Sequence, residues 1–180
     1  MRVSHHQEPS GALAIARHYI RDVVYGANDG VITTFAVVAG VTGGGLSAQA
    51  IMIIGVANLL ADGLSMGVGN YLSIRSHESA LAAQERPEEE ASPSRHALAT
   101  FVAFAIAGAV PLVPFALAVA TAPFEWSGAM TMLTLFTVGA LRALVTVDRW
   151  WVAGLEMLGL GAVVAAVAYG SGAVVASMVA

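Results

Sequence analysis

Residues 58–73 read Asn-Leu-Leu-Ala-Asp-Gly-Leu-Ser-Met-Gly-Val-Gly-Asn-Tyr-Leu-Ser, and the reading of this stretch decides the fold. Taken as a helix, it places Asn58, Asp62, Ser65, Met66 and Gly69 at spacings of three and four, on one face. Most of the other positions, and those from Gly55 back to Ile51, are apolar or small. A carboxylate, an amide and a thioether therefore line one stripe of a helix that otherwise suits hydrocarbon. Ionisable groups are costly inside a bilayer and usually mark an ion or substrate path. The plainer alternative is a helix–helix contact in which Asn58 and Asp62 hydrogen-bond to their neighbours.

The whole chain supports a membrane reading. Of its 180 residues 57% are hydrophobic and 11% charged, which fits a membrane protein of about five spans with short connections. Cysteine is absent, so disulfides, thiolate metal sites and thiol catalysis are excluded. Residues 1–22 are polar and lack an apolar core, so no signal peptide is expected. No nucleic-acid partner is expected either. Lysine is absent while Ala, Gly, Val and Arg are plentiful, a composition that suits a GC-rich prokaryotic genome and hence a prokaryotic inner membrane.

Five apolar segments, at about 23–43, 50–72, 97–120, 128–147 and 151–174, define a single all-α transmembrane domain over 1–180. Gly43-Gly44-Gly45 and Ser47 make a tight reversal between the first two. Trp126, Trp150 and Trp151 suit the headgroup level. Residues 74–96 form the one long polar connection, and its Glu88-Glu89-Glu90 run reads as a solvated, flexible loop. Eight arginines carry all the basic charge: Arg2, Arg17, Arg21, Arg75, Arg86, Arg95, Arg142 and Arg149. They cluster before the first span, between the second and third, and around the junction of the fourth and fifth. This alternation predicts a cytoplasmic N-terminus and a C-terminus outside.

The first span carries a second polar stripe, His18, Asp22, Tyr25, Asp29 and Thr33. Asp22 adjoins Arg21 and has a simple explanation in a wet interface. Asp29 has no basic neighbour on its own helix. The short turn makes the first two helices antiparallel neighbours, so Asp29 and Asp62 can approach one another. Gly63 and Gly67 have the GxxxG spacing that permits close helix approach and often oligomer contact. Glu156, one turn into the last span, is either a site carboxylate or a partner for Arg142 or Arg149.

The stretch His18-Tyr19-Ile20-Arg21-Asp22-Val23-Val24-Tyr25-Gly26-Ala27-Asn28-Asp29-Gly30-Val31-Ile32-Thr33-Thr34-Phe35 resembles the first-helix signature of the vacuolar iron transporter family. Residues 57–73 resemble its second-helix signature, and Gly154-Leu155-Glu156-Met157 through Tyr169-Gly170 its last helix. The resemblance runs over about residues 17–172. It implies a five-helix homodimer whose path lies at the two-fold axis, between the first two helices of each protomer. It further implies export of Fe²⁺, and often Mn²⁺, from the cytosol against protons. By the same likeness Asp29 and Met66 line the path, while His18 and Asp22 match the polar cytoplasmic end of a long first helix.

Two departures stand out. Members with a cytoplasmic metal-binding domain carry it between the second and third helices, and 74–96 is too short for it. Some members have glutamate where Asn58 aligns, whereas this chain carries Asp62 one turn on, about 6 Å along the axis. The metal-ligand candidates are thus Asp29, Asn58, Asp62 and Met66, together with Asp22 and Glu156. Oxygen donors with one thioether favour a late transition metal such as Fe²⁺ over Mg²⁺ or Ca²⁺. Each ligand would appear twice in a two-fold dimer, and carboxylates that exchange protons for metal would couple the two movements. The metal is cargo, so no resident cofactor is expected. An aspartyl protease dyad is the enzymatic alternative, but Asn28-Asp29 and Ala61-Asp62 lack the usual Tyr-Asp and Gly-x-Gly-Asp contexts. A dimeric scaffold or sensor that binds metal without moving it is the other.

Overall fold

The first helix, α1 (Ala12–Gly43), extends for 32 residues, about 48 Å at the α-helical rise. The computed structural model describes residues 11–87, 89–90, 92–117 and 122–179. α1 begins eleven residues before the expected 23, because Ala12, Leu13, Ala14 and Ala16 favour helix and carry it beyond the apolar segment. It ends as the glycine run predicts. The N–H of Leu46 donates to the Val41 carbonyl (3.1 Å) and that of Gly45 to Thr42 (2.9 Å), with Gly45 at φ 71°. This is a Schellman closure, in which the left-handed position carries no Cβ penalty at glycine. The Ser47 hydroxyl then accepts the Ala50 N–H (3.3 Å) and caps α2 (Ala48–Ala83).

The 74–96 connection departs from expectation. Residues 74–83 are the last turns of α2, with Ile74 and Leu81 buried two turns apart, and residues 93–96 open α3 (Pro93–Ala109). Only residues 84–92 connect the two helices. The acidic run is tied down at its described residues, Glu88 lying outside them. Glu78 accepts the backbone N–H groups of Glu89 (3.2 Å) and Glu90 (2.8 Å), while Glu89 meets His77 (3.0 Å) and Arg86 (3.2 Å). The His77 hydrogen bond holds the Glu89 carboxyl below its ordinary range. α2 ends in the same Schellman geometry, with Arg86 N–H on the Leu81 carbonyl, but its left-handed residue is Glu85 at φ 57°.

α3 passes through a 3₁₀ turn (Val110–Leu112) into the short α4 (Val113–Ala116). Pro111 and Pro114 lack the N–H groups that a continuous α-helix would use. The end of this span near 120 lies outside the described residues. α5 (Pro123–Arg142) and α6 (Trp150–Val179) complete the bundle. α5 starts and stops five residues before the expected 128–147, since Pro123 suits the first helical turn and the chain turns at 143–146. α1, α2, α3 with α4, and α6 are each long and apolar enough to cross a membrane. α5 has 20 residues but is less apolar, with Glu125, Ser127 and three threonines.

α1 is the central helix and packs on α2, α3, α5 and α6. It supplies Ala27 and Val31 to one apolar cluster, with Ala107, Leu135 and Met157, and Phe35 and Val38 to a second, with Ile51 and Leu112. It packs most extensively on α3, backbone against backbone. A Cβ on Gly26 would strike the Thr100 carbonyl, and one on Gly30 would strike the backbone of Phe104. Gly63 and Gly67 of α2 serve the same helix, against Phe101, Phe104 and Ala97, so their GxxxG spacing is used inside the chain.

Two outcomes follow. Gly30→Ala forces backbone apart and should cost about 1–3 kcal/mol, read as a lower unfolding temperature in detergent. Glu85→Gly relieves a left-handed residue and should raise stability by about 1 kcal/mol in the same assay.

Candidate functional site

A buried carboxylate joins three helices at the end of the bundle that holds the 84–92 connection, the linker end. Asp22 of α1 is 2% exposed. One oxygen accepts the Asn70 Nδ2–H of α2 at 2.8 Å, and the other faces His96 Nδ1 of α3 at 2.6 Å. Asn70 also donates to Thr100 Oγ1 (2.8 Å), whose own hydroxyl donates to the His96 carbonyl (3.0 Å). Arg21, the neighbour in sequence, stands off at 3.9 Å. Asp22 is therefore an interior residue held by His96 and Asn70, and the wet-interface explanation is replaced. A buried carboxylate needs such partners, because desolvation without them is prohibitive.

This clasp sets the register of α1 against α2. Asp22 pairs with Asn70, and seven residues up α1 the Asp29 carboxylate interacts electrostatically with Asp62, eight residues back along α2. α1 and α2 are antiparallel neighbours, as expected, and the two aspartates lie within electrostatic reach of each other. Asn58, Asp62, Met66 and Asn70 follow one another at intervals of four, and all four are half-buried. Ser65 and Gly69 are exposed and fall off this face. The stripe thus presents an amide, a carboxylate, a thioether and a second amide, in that order, with Asp29 of α1 opposite the carboxylate.

A cleft of about 560 Å³ opens at the linker end between α1, α2 and the connection. Arg21, Asp22, Tyr25, Asn70, His77 and Glu89 are among its lining residues. Glu156 lies apart from it. The Glu156 carboxylate is exposed and meets Arg142 at 2.6 Å, on a separate cavity beside α5 and α6. Asn70, Thr100 and His96 were not singled out from sequence. Asn70 had a signal, since it continues the four-residue period of 58, 62 and 66. His96 had none, because only the packing of α3 on α1 brings it to Asp22.

Chemically, the stripe offers hard oxygen donors and one soft sulfur, with few protein donors to compete at Asp29 and Asp62. The Thr33 hydroxyl serves the Asp29 backbone carbonyl (2.8 Å) rather than its side chain. Such a donor set can hold a dehydrated divalent ion.

Comparison with known proteins shows the family. The model of the VIT family matches residues 20–91 and 78–173. A Toxoplasma gondii protein named vacuolar iron transporter is 42% identical over 71 residues, 39% of this chain and 24% of that protein. Vacuolar iron transporter 1 of Arabidopsis thaliana is 35% identical over 75 residues, 42% of this chain and 30% of its own length. Vacuolar iron transporter homolog 5 of Oryza sativa subsp. japonica is 37% identical over 110 residues, 56% of this chain and 53% of its length. The chain thus spans between a quarter and about half of these relatives. With most of its length matched by the family model, the chain belongs to the VIT family.

Proposed function

We propose that the protein is an iron transporter that moves Fe²⁺ out of the cytosol in exchange for protons, accepts Mn²⁺ as a second substrate, and works as a homodimer. The observation that carries this reading is that Asp29 of α1 and Asp62 of α2, one turn from Met66, lie within electrostatic reach of each other. Two carboxylates facing each other at membrane depth repel unless a proton or a cation lies between them. Exchange of one for the other couples metal to protons. The thioether of Met66 favours Fe²⁺ over the abundant hard cations. Names of relatives that include the words iron transporter support the same cargo.

The dimer completes the site. Four side chains from one protomer are a thin ligand set for an ion that sheds its water, and a two-fold axis doubles it. In this reading α5 is the fifth span, and the linker end, with Arg17, Arg21, Arg75, Arg86 and Arg95, faces the cytoplasm. The cleft lined by Asp22 and Glu89 is then the cytosolic entrance. The lysine-free, Ala-, Gly- and Arg-rich composition supports a prokaryotic plasma membrane.

Purified protein in liposomes with an imposed pH gradient should take up Fe²⁺ and Mn²⁺, and Asp29→Asn should abolish the flux. Wild-type flux from that variant removes Asp29 from the path. Met66→Leu should retain Mn²⁺ flux and lose part of the preference for Fe²⁺. A cysteine introduced by Ser47→Cys should label only from outside intact cells, and labelling from the cytoplasmic side reverses the orientation.

A further inference from the structure

Asp22 determines more than helix register. An ionised carboxylate only accepts hydrogen bonds, so the 2.6 Å contact calls for a proton on His96 Nδ1, and in the neutral imidazole Nε2 then carries the lone pair. His96 is 0% exposed, and its Nε2 has no hydrogen-bond partner. That nitrogen lies 3.0 Å from Glu90 Oε2, which likewise has no hydrogen-bond partner. The two atoms are close but not aligned as donor and acceptor. His18 Nε2 of α1 reaches the same Glu90 oxygen at 3.5 Å. One ligand atom from each of His18, Glu90 and His96 lies within 4.8 Å of the others.

Two acceptors at 3.0 Å repel each other unless a positive charge lies between them. A proton on Nε2 would point along the ring axis and make an aligned bond to Glu90, which the geometry lacks. A metal ion needs no such alignment with the carboxylate. Ligands at metal distances of about 2.0–2.1 Å, separated by 90–110°, stand about 2.9–3.4 Å apart. The two Glu90 separations, 3.0 and 3.5 Å, fall close to that range. Asp22 supplies the outer hydrogen bond that metal-bound histidines commonly make through their second nitrogen. The ligands are also held independently, His18 on α1, His96 on α3, and Glu90 through its backbone N–H on Glu78 (2.8 Å).

We propose that His18, His96 and Glu90 bind one divalent first-row transition-metal ion at the linker end, separate from the stripe of Asp29, Asp62 and Met66. Two imidazoles and one carboxylate suit Fe²⁺, Zn²⁺ or Co²⁺ and disfavour Mg²⁺ and Ca²⁺. Three protein ligands leave coordination positions open to water on the cleft side, so the ion is exchangeable. Its binding would fasten the 84–92 connection to α1 and α3. The site stands on its own geometry and does not require that the protein transports iron.

The test is a Co²⁺ titration of the full chain in detergent, read by the visible d–d spectrum and by X-ray absorption for imidazole scattering. His5 and His6 lie outside the described residues and could bind metal themselves, so the work uses a His5→Ala, His6→Ala background. The expected result is one histidine-ligated Co²⁺ per chain, told apart by its imidazole scattering from any ion on the oxygen and sulfur stripe, and weakened by about tenfold or more in Glu90→Gln and in His18→Ala. Neither variant opens a core cavity, because His18 and Glu90 are only partly buried. Asp29→Asn should leave this affinity unchanged. Absence of a stoichiometric site, or wild-type affinity in both variants, overturns the proposal and makes the cluster a protonated His96–Glu90 pair. Because flux plays no part in the measurement, failure here leaves the transport reading intact, and failure of transport leaves this site intact.

Discussion

A carboxylate with almost no access to water is the constraint on which the arrangement of the first three helices depends. Asp22 needs donors from outside its own helix, and it takes one from α2 and one from α3. With that requirement met, α1 and α2 have one register, and Asp29 stands against Asp62 as a consequence. A slide of either helix by one turn would break two hydrogen bonds in a low-dielectric interior and leave Asn70 or His96 without its acceptor. The contact of Gly26 and Gly30 with the backbone of α3 adds steric precision at the same level of the bundle. Polar pairing and close backbone packing thus specify one alignment, which a seam of apolar residues alone would leave loose.

The helices themselves were legible in sequence, because apolar length and glycine punctuation are local signals. The Gly43-Gly44-Gly45 turn closed as expected, and Asn58, Asp62 and Met66 share a face as their spacing requires. Boundaries were less legible. Ala12–Ala16 and Ile74–Ala83 are helical by propensity and packing although they lie beyond the apolar windows, so α1 and α2 outrun the expected spans at the linker end. Long-range partnerships were not legible at all. Nothing near His96 in sequence announces that it faces Asp22, 74 residues away, and nothing near Gly63 says that its neighbour is Phe104 rather than a second chain. Asn70 is the intermediate case, since its period was visible but its partner was not.

The two polar regions differ in the physical task each performs. At the clasp, Asp22 is satisfied by protein alone, through Asn70 and His96. Along the stripe, Asp29 and Asp62 are two like charges within electrostatic reach of each other, and each favours a proton or a cation nearby. Satisfied groups give rigidity, and unsatisfied ones give binding. The chain keeps these roles about two helical turns apart on α1, so that the element which must hold still and the element which must exchange its occupant share one support.

The shortness of the 84–92 connection has an architectural consequence. α2 and α3 form a hairpin braced below by Asn70, Thr100 and the glycine contacts, so the bundle does not depend on the length of the loop that crowns it. Loop closure penalties grow only slowly with added residues. The span between Arg86 and Glu89 is therefore a natural graft point, where a folded module could be spliced in without disturbing the helices. Anything inserted there would be suspended over the 560 Å³ cleft and would raise the local concentration of whatever it carries at that mouth.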